Sequence, residues 1–105
     1  MIERVKTQVE RLYPEILETL EQMTKIDRGS RFVKGLTQMA DYLEAKLRYA
    51  GCKIERYEDE IYGPTLVGRK RGNGHATIFL YAHMDTVWPE GTCAQRPFRI
   101  QDNMA

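Results

Sequence analysis

Apolar residues recur along the first 25 positions with a helical period. Val5, Val9, Leu12, Ile16, Leu20 and Met23 follow one another at steps of four, three, four, four and three, which places them on one face. Pro14 interrupts the stripe: it has no N–H to donate and disfavours the helical region for Tyr13, so the pattern predicts two helices, or one kinked there. Pro14 suits the first helical position of the second piece, with Glu15 and Glu18 near its positive end. Asp27-Arg28-Gly29-Ser30 reads as a loop whose last residue caps the next helix. Leu36, Met39, Ala40, Leu43, Leu47 and Ala50 line that helix, and Gly51 stands where a left-handed stop is expected. The helices are placed at about 2–25 and 31–50.

Beyond Gly51 the period changes from helix to strand. Strands are predicted at about 53–58, 65–71 and 76–83, the last two joined by a hairpin turn at Asn73-Gly74, since both residues accept positive φ cheaply. Ile78-Phe79-Leu80-Tyr81-Ala82 does not alternate, which suits a strand covered on both faces. Thr86–Pro97 is loop-like, and Phe98-Arg99-Ile100 suits a short strand. Two helices followed by strands, one of them interior, imply a single α/β layered domain over residues 1–105.

Composition narrows the function classes. At 105 residues with 42% hydrophobic and 30% charged positions, the chain has a globular composition and the size of one domain. Sixteen basic against 15 acidic residues leave a net charge of +1, so no global field attracts nucleic acid or an anionic membrane. The longest apolar run, Ile78–Ala82, is far short of the roughly 20 residues a membrane-crossing helix needs. Met1–Lys6 carries no hydrophobic signal segment, and a cytoplasmic location is expected. Cys52 and Cys93 form no Cys-x-x-Cys pair and are expected to be reduced thiols.

Candidate chemistry gathers just past the interior strand, in Ala82-His83-Met84-Asp85-Thr86-Val87-Trp88-Pro89-Glu90-Gly91. Ligand sites in open α/β sheets gather beyond strand carboxyl ends. Extended backbone projects His83 and Asp85 to the same side. A neutral imidazole ligates zinc, and a carboxylate beside it accepts the other ring N–H and fixes the tautomer. Residue types alone leave a hydrogen-bonded structural histidine as the competing reading. Elsewhere the bland readings prevail: His75 is a solvated turn residue, Arg69-Lys70-Arg71 a solubilising hairpin end, and Gly72-Asn73-Gly74 no phosphate loop, because no helix follows it. Trp88 and Phe98 read as packing residues, and the sequence names no group that would activate Cys93.

The run Ile78–Thr92, followed by Arg96-Pro97-Phe98-Arg99, resembles the dinuclear-zinc peptidase family of glutamate carboxypeptidase, acetylornithine deacetylase, succinyl-diaminopimelate desuccinylase and aminoacylase. The glutamate carboxypeptidase branch looks nearest. The Ile26–Ser30 loop, the Leu36–Gly51 helix and Leu66-Val67-Gly68 are also similar, so the resemblance covers residues 12–105, with its most specific motif at 78–98. Ala82 departs from it, many relatives having glycine there.

The resemblance implies the N-terminal, incomplete part of a zinc-peptidase catalytic domain with a helix-flanked, mostly parallel or mixed sheet. It implies His83 as a zinc ligand and Asp85, among the catalytic residues, as the acid that holds that imidazole. Two Zn2+ ions are expected in a complete family site and at most one partial site here. The bridging acid, the general base and the other ligands have no counterpart in these residues: Glu90 and Asp102 are the only acids after Asp85, and Glu90 does not fit the pattern. The expected function is therefore that of a zinc-dependent carboxypeptidase or deacylase, acting on a small peptide or N-acyl amino acid in the complete enzyme and inactive as 105 residues alone. A non-catalytic module retaining the fold is the alternative. Self-association, or pairing with a C-terminal part, is expected of the exposed sheet.

Overall fold

The computed structural model describes residues 1–105 and contains α1 (Ile2–Thr24), α2 (Val33–Tyr49), β1 (Lys53–Tyr57), β2 (Thr65–Arg69) and a single-turn α3 (Thr92–Gln95). α1 runs unbroken through Pro14, so of the two alternatives the single helix at about 2–25 is the one that forms. Its apolar stripe is present but buries no residue, because nothing packs along most of its length.

α2 builds what core there is. Leu36, Met39 and Ala40, three and four positions apart, turn inward with Ile26 from the preceding loop, and Met39 is wholly enclosed. The helix ends in the left-handed stop that its sequence predicts. Gly51 has φ 89°, its N–H donates to Arg48 O at 2.9 Å, and the Cys52 N–H donates to Leu47 O at 2.9 Å. Those two reversed bonds satisfy carbonyls the helix leaves without partners.

The chain then returns across α2 as an antiparallel hairpin with Ile54 opposite Gly68 and Arg56 opposite Leu66. Gly68 brings the hairpin close, since a Cβ there would lie 3.3 Å from Leu47 Cδ1. Arg56 ties β1 to α2 by contacts of 2.7 Å to Asp41 and 3.5 Å to Glu44, and it also meets Glu58 at 2.6 Å.

The turn of this hairpin is not at Asn73-Gly74. It lies at 58–64, where Asp59 Oδ1 accepts the N–H groups of Ile61 and Tyr62 at 2.8 and 2.7 Å, and Gly63 adopts φ 83°. An aspartate accepting backbone N–H groups two and three residues on supplies the turn without an Asn-Gly pair. β2 therefore pairs backwards with β1, and the strand expected at 76–83 does not form. Residues 76–82 enter no backbone–backbone hydrogen bond. A strand exists only as one side of a ladder, and the apolar run pairs with neither β1 nor β2. The Phe98–Ile100 strand is likewise absent. The helices and hairpin are consistent with part of an α/β domain. The two-stranded sheet is antiparallel, and of the mostly parallel or mixed sheet that was expected the one parallel pairing is the isolated bridge between Gly29 and Thr86.

Candidate functional site

That isolated bridge positions the site. The Ser30 N–H donates to Thr86 O at 3.0 Å and the Thr86 N–H donates to Arg28 O at 2.9 Å, which fastens the chain just after His83 and Asp85 to the loop between α1 and α2. The approach is close enough to require glycine: a Cβ on Gly29 would lie 2.6 Å from Trp88 O. Asp27, two residues earlier, makes a second fastening. Its Oδ2 accepts the Gly91 N–H and its Oδ1 the Cys93 N–H, both at 3.0 Å, across more than sixty residues of sequence. Asp27 thereby caps α3 from a distance, and those bonds, Cys93 first, hold its carboxyl below the ordinary aspartate range.

Between these fastenings the structure brings together the two residues that the sequence singles out. His83 Nδ1 lies 2.8 Å from Asp85 Oδ1 and 2.9 Å from Asp85 O. Both neighbours are acceptors, so in the neutral ring Nδ1 carries the proton and Nε2 the lone pair. The ring projects into solvent, its side chain 82% exposed. Asp85 is held from its other oxygen as well: the Ser30 hydroxyl donates to Oδ2 at 2.5 Å. The Ser30 bond first, and then His83, keep the Asp85 carboxyl below its ordinary range, so it is ionised at neutral pH.

Sequence reasoning gave Ser30 another role and passed over that of Asp27. Ser30 was expected to cap α2, yet that helix begins at Val33 with Phe32 before it and has no side-chain cap. Arg31 takes φ 66° and turns the chain so that the hydroxyl reaches Asp85 instead. Asp27 stood in the sequence only as a loop residue. The similarity of the Ile26–Ser30 loop to the same family as the His83 motif was the one signal linking the two segments.

The other candidates fall outside this arrangement. Glu90 does not line the groove at His83, and Asp102 sits in the turn that closes Gln101 onto Met104. Burial, and then the Asp27 carboxylate, push the Cys93 thiol up, so it remains protonated at neutral pH. Trp88 is covered on one face by the Arg96 guanidinium, 4.5 Å from the ring centre.

His83 and Asp85 lie on the rim of an open groove of about 830 Å³ between α2, β2 and residues 80–85. Leu36, Leu43 and Leu66 give it apolar walls, and Arg31 and Lys46 contribute positive charge. As a test of fit to a metal, Nε2 of His83 is a free, oriented donor and suits one coordination position. No group of three or more His, Cys, Asp or Glu side chains gathers around it.

No protein-family model matches the chain. Its sequence is similar to that of a known carboxypeptidase. That protein is carboxypeptidase G2 of Pseudomonas sp. (strain RS-16), 32% identical over 94 residues that make up 88% of this chain and 23% of the relative. The chain thus spans less than a quarter of the length of the curated relative it matches.

Proposed function

We propose that the chain forms the N-terminal portion of a zinc-dependent carboxypeptidase or deacylase. Its catalytic domain would cleave an amide bond next to a free carboxylate in a small peptide or N-acyl amino acid. The observation that carries this reading is the state of His83: one ring nitrogen engaged by Asp85 and the other free at the rim of a groove. A histidine with both nitrogens committed to protein partners could not serve as a ligand. A ligand needs one nitrogen free and the ring fixed. The similarity to carboxypeptidase G2, which covers both the Asp27–Ser30 loop and the His83 motif within its 94 residues, lends the reading its reaction class.

In this reading His83 supplies one first ligand through Nε2, and Asp85 accepts the Nδ1 proton so that the lone pair points outward. Zinc, when bound, serves as a Lewis acid that polarises the amide carbonyl. A catalytic zinc takes three protein ligands, and a two-metal site takes more. The 105 residues contribute one, so the remaining ligands and the general base come from a longer polypeptide or a second part, and the chain alone is inactive. A cytoplasmic location is part of the proposal. No helix here is long and apolar enough to cross a membrane.

The test joins these residues to the C-terminal part of the carboxypeptidase they resemble and measures zinc- or cobalt-dependent hydrolysis of N-acyl amino acids. His83→Ala should remove the metal-dependent rate, and Asp85→Ala should lower metal affinity by roughly 10- to 100-fold, the usual effect of losing an orienting partner. A His83→Ala enzyme as active as the parent would end the proposal. A product that folds and shows no metal dependence would favour the non-catalytic module.

A further inference from the structure

We infer that Ser30 is a positioning residue for His83, acting through Asp85 to fix which ring nitrogen faces a cation. The inference rests on the reading of His83 as a metal ligand and adds the residue that holds the holder.

A carboxylate that accepts one bond from an imidazole is still free to rotate about its own Cβ–Cγ bond. Asp85 is gripped at both oxygens: Oδ1 lies 2.8 Å from His83 Nδ1, and Oδ2 accepts the Ser30 hydroxyl at 2.5 Å. Two bonds on opposite sides fix the plane of the carboxylate, and so the direction from which Nδ1–H must approach. Ser30 is itself held by backbone, through the 3.0 Å bond from its N–H to Thr86 O, and its neighbour Gly29 is wedged against Trp88 O. The hydroxyl is therefore attached to a part of the chain 55 residues away from the acid it holds. A charge-assisted hydrogen bond of this kind is stronger than a neutral one, which suits a contact that must hold at a partly exposed acid.

His75 supplies an internal standard. It lies exposed, with no side-chain hydrogen bond to the rest of the chain, so its tautomer is set by water alone. The experiment uses the whole 105-residue chain, labelled with 15N, at a pH where both imidazoles are neutral. Ring nitrogen shifts give the proportion of each tautomer, and Co2+ added to millimolar concentration reports the metal-facing nitrogen by selective broadening. In the parent chain His83 should hold its proton on Nδ1, unlike His75, and its ring signals should broaden before those of His75. Ser30→Ala should move the His83 shifts toward those of His75 and weaken the cobalt effect by about 10-fold, the lower end of what losing an orienting partner does. Ser30→Thr, which keeps the hydroxyl, should restore both.

A Ser30→Ala chain with the parent tautomer ratio overturns the inference. Should that variant unfold, Ser30→Cys preserves the volume with a much weaker donor, and a parent ratio there overturns it equally. Failure of the underlying reading looks different: His83 and His75 would broaden alike in the parent chain, whatever Ser30→Ala did to the tautomer.

Discussion

Residues 33–69 and residues 76–82 are both rich in large apolar side chains, yet they meet opposite fates. In the first stretch Leu36 is 4% exposed and Met39 0%, whereas in the second Ile78 and Tyr81 are 84% and 88% exposed. The two differ in partners rather than in hydrophobicity. α2 supplies its own backbone hydrogen bonds and needs a surface on one side only, which the hairpin provides, while that hairpin closes on itself at 58–64. The 76–82 run must have a ladder on each edge and cover on each face, and the residues around it offer neither. A helix can form first and find its packing afterwards, but an interior strand has no existence apart from its neighbours.

The sharpest way to break this contrast is a pair of truncations. Met39→Ala removes a wholly enclosed side chain and should destabilise the chain by roughly 2–4 kcal/mol, whereas Leu80→Ala should stay within about 0.5 kcal/mol of the parent in urea unfolding. Equal losses would mean that residues 76–82 are packed in solution. A second measurement sharpens the same point. Four neighbouring exposed apolar side chains, Ile78 to Tyr81, with unpaired backbone and a net charge of only +1, are a template for association. Sedimentation should show the parent chain self-associating as its concentration rises and Phe79→Lys remaining closer to monomeric; a monomeric parent would mean the run finds cover within its own chain.

A smaller effect probes how the exposed part is attached to the ordered part. Asp27 accepts from Gly91 and Cys93, and its carboxyl is held below the ordinary range. A depressed carboxyl stabilises the folded state above its unfolded pKa, and that contribution is lost as pH falls through the folded value. Hydrogen-exchange protection at the Gly91 and Cys93 amides should thus hold from neutral pH down to the ordinary aspartate range and disappear below it. Asp27→Asn should remove that pH dependence. The smallest expected change concerns Cys93, whose raised thiol should alkylate at neutral pH several-fold more slowly than a free cysteine, and faster in Asp27→Asn.

Local signals survive in the structure where local physics decides them. The α2 stripe and its stop at Gly51 were legible because period and left-handed geometry depend on residues a few positions apart. The meeting of His83 and Asp85 was legible for the same reason, since residues two positions apart can reach each other without the strand that was expected before them. Asn73-Gly74 misled because a turn signal says nothing about whether the second strand has anything to pair with, and Asp59 with Gly63 had already closed a hairpin earlier in the chain. Ser30 misled because a hydroxyl before a helix is equally able to cap it or to bond a distant acid. Only the pairing of residues 28–30 with Thr86 decides between the two.

The short link between the two long helices carries a consequence for how this molecule tolerates change. Since the imidazole is moored there through Asp85 and Ser30, adding or deleting one residue within 27–30 would shift its free nitrogen while leaving every residue of the His83 segment as it was. On the proposed reading, variation in length at that link should therefore impair metal capture even though His83 itself is unchanged.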